Sequence, residues 1–134
     1  MLWWYLVENS QNHQKVKNYL DQLILDLDNV FYINEFVIIE LMHLLIKKSK
    51  KGYEIAKELL SNQYPFLIII YDFSKLYSFK SLLEILNIYG HSSTIGGRGS
   101  SIIMTMQTHQ ITDIISNDNG FKSVKSLLIH NPID

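Results

Sequence analysis

Apolar positions recur along most of the chain at helical spacing, broken by short runs that lack that period. Trp3 to Val7 predicts a short helix with its aromatics turned into a core; a dimer contact is the other use open to the two tryptophans, since aromatics are enriched at interface cores. Asn9 to His13 is a polar break in which Ser10 is a candidate cap. The next helix runs to about Asp26, with Val16, Tyr19, Leu20, Leu23 and Leu25 as its apolar residues. Asn29 to Ile33 reads as a short extended segment. The helix from about Asn34 to Lys48 is apolar nearly all round, which predicts burial on most sides. A solvated turn ended by Gly52 follows it, and Tyr53 to Ser61 forms another helix. Phe66 to Tyr71 is apolar without alternation, as expected of a strand buried on both faces of a parallel sheet. Asp72 is a candidate cap for a helix from about Ser74 to Tyr89, which buries Leu76, Leu82, Leu83, Ile85 and Leu86 and stops at Gly90.

The C-terminal third has the same grammar. His91 to Gly97 is a polar loop leading into Gly96-Gly-Arg-Gly-Ser-Ser101, read as a glycine loop with Ser100 and Ser101 at the start of a helix. Ile102, Ile103, Met106 and His109 mark one buried face of that helix, which should stop near Gln110. Ile111, Ile114 and Ile115 then switch to β-branched strand composition, and Leu127 to Ile129 predicts a last edge strand. Strands at 66–71 and 113–117 separated by helices argue for an α/β fold with a mainly parallel sheet and helices on its faces. Ligands of such sheets bind beyond the carboxyl ends of the strands, where Asp118 falls.

Two carboxylates stand out against this pattern. Glu40 interrupts the most apolar helix, with His43 and Lys47 at i+3 and i+7. It reads either as a metal-binding or acid/base carboxylate, or as part of a Glu40–Lys47 face at the protein's edge; an ionised carboxylate amid apolar residues needs a partner. Asp118 is the second candidate. Oxygen ligation of Mg²⁺ or Mn²⁺ is the chemistry that such a pair suits. Arg98 and Ser100, at the head of a helix with free N–H groups, are candidate phosphate contacts, and Ser116 or Asn117 could hold a phosphate oxygen or a bound water. The Walker-type phosphate loop does not match, for its lysine is missing. Lys47, Lys48, Lys50 and Lys51 read first as partners of a helix C-terminus and a solvated turn, and second as a phosphate-backbone rim.

A helix followed by a strand, Ser116-Asn117-Asp118 and Phe121 resembles the C-terminal half of a PIN domain, the metal-dependent ribonuclease fold of VapC-type toxins. Ile39-Glu40-Leu41 is similar to the setting of that family's second acidic residue. The resemblance implies a three-layer α/β/α fold, four acidic ligands for one or two Mg²⁺ or Mn²⁺ ions, RNA as substrate and an antitoxin protein as partner. Glu40 and Asp118 take two of the four positions. Counting back from Asp118, the aspartate that opens the family's later helix is here Gly99. The family's first strand and its aspartate precede a helix like Trp4 to Val7, so the reading places that N-terminal strand as missing, which would leave a groove open to a homodimer partner. Two functions follow: a toxin-type ribonuclease that hydrolyses phosphodiesters with a metal-activated water, or a degenerate, non-catalytic PIN-like binding module.

Composition narrows the setting. At 134 residues and 47% apolar, the chain suits one domain spanning residues 1–134. A net charge of −1 makes the chain as a whole no electrostatic nucleic-acid binder, so any positive surface must be local. No apolar run reaches the ~18 residues of a membrane span. The apolar N-terminus lacks the marks of a signal peptide, and the absence of cysteine fits a reducing cytoplasm.

Overall fold

The computed structural model describes residues 1–61, 63–69, 76–91 and 94–134. Its elements run α1 (Leu2–Leu6), α2 (His13–Ile24), β1 (Phe31–Asn34), α3 (Glu35–Lys48), α4 (Gly52–Leu60), β2 (Phe66–Ile69), α5 (Leu76–Tyr89), α6 (Gly97–Thr108), β3 (Asp113–Ile115), a 3₁₀ turn (Asn119–Ser123) and β4 (Leu128–His130). The predicted start of α5 at Ser74, the Asp72 cap and the strand residues Ile70 and Tyr71 lie outside the described residues. The chain divides into two compact units.

The first unit comprises residues 1–33, 37–68 and 132–134. Its core is Leu6, Ile33, Ile38, Leu41, Leu45, Ala56, Leu59 and Phe66, against which Trp3 and Tyr5 also pack. β1 pairs with β2. Helix α1 is too short to satisfy its own carbonyls, and the chain that follows does so instead. His13 Nδ1 lies 2.8 Å from the Trp4 carbonyl, and Ser10 Oγ donates to the same oxygen. Ser10 is therefore tied to α1 and does not cap α2, whose N-cap is Asn12.

Tyr5 fastens the first two helices. Its hydroxyl donates to Asp21 Oδ1 at 3.1 Å, Asp21 also pairs with Lys17, and the Lys17 ammonium lies 5.7 Å from the Tyr5 ring centroid. Burial, reinforced by the Asp21 hydrogen bond, pushes the Tyr5 hydroxyl up to about 12. The folded state then holds a proton that the unfolded chain releases near pH 10, so this contribution is complete below about pH 10 and is lost as the pH rises towards 12. Urea titrations across that range should show wild type losing stability more steeply than Tyr5→Phe. Parallel curves would refute the coupling.

Helix α3 corrects the expectation of burial on most sides. Ile38, Leu41 and Leu45 are buried, but Ile39 and Ile46 are 59% and 62% exposed. The turn after α3 ends at Gly52, as expected, and Gly52 is itself the first residue of α4, one position before the expected start at Tyr53.

The second unit comprises residues 34–36 and 69–131. Helices α5 and α6 pack together over a core of Ile85, Ile95, Ile103, Met104, Phe121 and Val124. Leu83, expected inside, is exposed. β3 pairs in parallel with β4, Ile114 opposite Ile129, and the ladder is continued by the Ser116 N–H to the His130 carbonyl at 3.0 Å. The parallel pairing and the helices agree with the α/β expectation.

Helix α6 ends in a Schellman motif. The Ile111 N–H reaches the Met106 carbonyl at 2.8 Å, the Gln110 N–H reaches that of Gln107, and Gln110 takes φ 54°. That left-handed residue stops the helix where the sequence predicts, and it leaves His109 exposed as the C-cap, not on the buried face.

Candidate active site

The glycine loop is not a loop. Gly97, Arg98 and Gly99 form the first turn of α6, with Gly96 as an N-cap that has no side chain to offer. Ser100 and Ser101, expected to cap, are fully buried in the second turn. Ser101 Oγ donates to the Arg98 carbonyl at 2.7 Å, so it serves the helix from within. Ser100 Oγ has no hydrogen-bond partner among the described residues, and full burial removes it from the role of surface phosphate contact. Arg98 is exposed on this turn.

The residues Ser116, Asn117 and Asp118 make a turn that leads into the 3₁₀ segment. The Asp118 N–H donates to Ser116 Oγ at 3.1 Å, and Asp118 Oδ1 accepts from the Gly120 N–H at 2.8 Å. Asp118 is thus an N-cap whose second oxygen is left for other partners, exposed beside Asn117. Phe121, 3% exposed, anchors the turn in the second core. A sequence spacing that suggests chemistry is here also a folding device.

Gly99 faces that anchor. A Cβ built on it would stand 2.9 Å from Ile95 Cγ2 and 3.9 Å from Phe121 Cζ. The Ile95 contact is closer than side chains tolerate, so any side chain at position 99 requires this buried branch to move. Glu40 lies in the first unit, half-buried on α3 between Ile38 and Leu41, with His43 and Lys47 exposed further along the helix. Among the described residues no group of three or more His, Cys, Asp or Glu side chains is placed to hold a metal ion.

Sequence reasoning missed a buried polar chain on α6. Asn34, 3% exposed, donates through Nδ2 to Thr105 Oγ1 at 3.0 Å and to Ser101 Oγ at 3.4 Å. Thr105 Oγ1 in turn donates to the Ser101 carbonyl at 2.9 Å. Each hydroxyl donates to the helix backbone and accepts from Asn34, which makes the interior site affordable. The signal was the i, i+4 spacing of Ser101 and Thr105 within an otherwise apolar helix face. A second missed group is Asp113, whose carboxylate accepts from Thr112 Oγ1 at 2.8 Å and meets His130 Nε2 at 2.7 Å. The His130 contact, then Thr112, holds the Asp113 carboxyl below its usual value.

A family model described as the PIN domain matches residues 1–127. The chain belongs to the PIN domain family. No curated protein and no solved structure matches it. The PIN fold is a three-layer α/β/α arrangement of nuclease type, and the helices and parallel strands described above are consistent with it. PIN domains generally bind divalent metals and typically act on RNA. Among the described residues this chain assembles no group of side chains suited to hold such an ion, and Asp118 has only one oxygen outside its capping bond to offer. No helix among the described residues is long and apolar enough to cross a membrane.

Proposed function

We propose that this chain is a PIN-family RNA-binding protein in which metal-dependent cleavage is lost. The observation that carries this reading is Ile95 Cγ2 standing 2.9 Å from where a Gly99 side chain would begin. Counting from Ser116-Asn117-Asp118, position 99 is where an acidic ligand is expected, and its space is filled by apolar packing. Divalent affinity depends on ligand number and charge, so a site short of one carboxylate holds Mg²⁺ or Mn²⁺ weakly. The fold remains available as a surface for RNA.

Mn²⁺ calorimetry on the whole chain tests this, together with cleavage of labelled RNA in Mn²⁺ and in EDTA. Expected are no binding tighter than about 1 mM, roughly −4 kcal/mol, and no metal-dependent cleavage. Tighter binding that disappears in both Glu40→Ala and Asp118→Ala, with cleavage that follows it, would overturn the proposal. It would establish the other reading, favoured by the retention of Glu40 and Asp118: a toxin-type ribonuclease with those two residues as ligands and an antitoxin partner.

A further inference from the structure

The corner between α3 and α4 concentrates positive charge. Residues 47–57 carry Lys47, Lys48, Lys50, Lys51 and Lys57 against one acid, Glu54, in a chain whose net charge is −1. All five lysines are exposed. Lys47, Lys48, Lys50 and Lys51 form no ion pair among the described residues. Lys57 lies over Tyr53, its ammonium 5.5 Å from the ring centroid, and Tyr53 is itself 63% exposed.

The corner is rigid. The Gly52 N–H is bonded to the Ser49 carbonyl at 3.1 Å and the Ser49 N–H to the Leu45 carbonyl at 2.9 Å, while a Cβ at Gly52 would lie 1.9 Å from that same Leu45 oxygen. Lys50 and Lys51 are therefore held on a tight turn, Lys47 and Lys48 precede it on the last turn of α3, and Lys57 follows on α4 over the Tyr53 ring.

We infer that this lysine corner, with Tyr53, is a docking surface for single-stranded RNA, the lysines on successive phosphates and the Tyr53 ring stacked on a base. The inference rests on the RNA-binding reading above. A polyanion offsets the lysines' positive charge and releases counterions. An exposed ring among cations is the usual platform for an unpaired base. A broad anionic surface such as a membrane fits less well, because exposed Glu54 and Glu58 share α4 and would face it too. A single strand touches only a narrow track.

The test is fluorescence anisotropy of labelled oligouridine with the full chain, in EDTA, over a range of salt. Four phosphate contacts predict a slope of log K against log[salt] of about −3 for a single strand. Lys48→Gln with Lys51→Gln should reduce its magnitude by about 1.4 and weaken binding roughly ten-fold or more near 0.1 M salt. Tyr53→Ala should weaken binding at least about five-fold and leave the slope unchanged. Lys15→Gln with Lys125→Gln, exposed lysines elsewhere, should change neither.

Equal losses from the corner and control pairs would overturn the inference. So would anionic vesicles or polyglutamate bound as tightly as RNA. If wild type binds no oligouridine, the RNA-binding reading itself fails; if binding persists but ignores the corner, only this inference fails.

Discussion

Gly52→Ala is expected to destabilise the protein by on the order of 3 kcal/mol, lowering its melting temperature by roughly 10 °C. Alanine is the better helix former by about 1 kcal/mol, and Gly52 opens α4, so propensity alone predicts the opposite sign. Sterics decide. The new methyl would lie 1.9 Å from the Leu45 carbonyl oxygen and 2.3 Å from its carbon, and both belong to backbone that cannot rotate aside. Relief requires moving the start of α4 away from α3 and breaking the bond from the Gly52 N–H to Ser49. Gly97→Ala is the control: nothing lies within 4 Å of its Cβ, so the same substitution inside α6 should be neutral or stabilising by about 0.5 kcal/mol. Chemical denaturation of the two variants checks the pair. Equal effects would show that glycine propensity, not the corner's packing, governs Gly52.

Leu45→Ala should cost about 3 kcal/mol in the same assay. Leu45 is wholly buried in the first core, beside Leu41 and Ile38 on α3 and with Ala56 and Leu59 contributed by α4. Truncation loses the transfer free energy of the leucine side chain and leaves a cavity that the surrounding core closes only in part. Ile46→Ala, one residue along and 62% exposed, should change stability by less than about 0.5 kcal/mol. A loss at Ile46 comparable to that at Leu45 would mean that the outer face of α3 is covered in solution. Leu45→Ala removes the side chain and Gly52→Ala crowds the backbone carbonyl of the same residue, so their effects should couple and the double variant should depart from the sum.

The candidate site was legible in part. Ser116, Asp118 and Phe121 could be read from their spacing because a turn, a cap and a buried aromatic are local events, separated by few residues. Glu40 was legible as a carboxylate within apolar sequence, and it is half-buried. Asn34 was not, because its partners Ser101 and Thr105 are distant in the chain and a lone asparagine at a strand end looks like a cap. Ser10 illustrates the same limit: its hydroxyl had two helices within reach, and the carbonyl of Trp4 took it.

The sequence by itself determined where most of the helices and strands fall, where α6 stops, and that the chain belongs with PIN domains. Periodicity, β-branched runs and the Ser-Asn-Asp-x-x-Phe spacing suffice for that, since each is set by bonds and side chains close in the chain. Only the tertiary structure decided that Gly97, Arg98 and Gly99 are helical. Locally, glycine disfavours helix by about 1 kcal/mol per residue, but α6 gains more from burying Ile103, Met104 and Met106. It also decided which apolar residues of α3 stay outside, because an all-apolar helix does not state which side its neighbours will take. Above all it filled the space at Gly99 with Ile95, which a glycine in a sequence leaves open and packing closes.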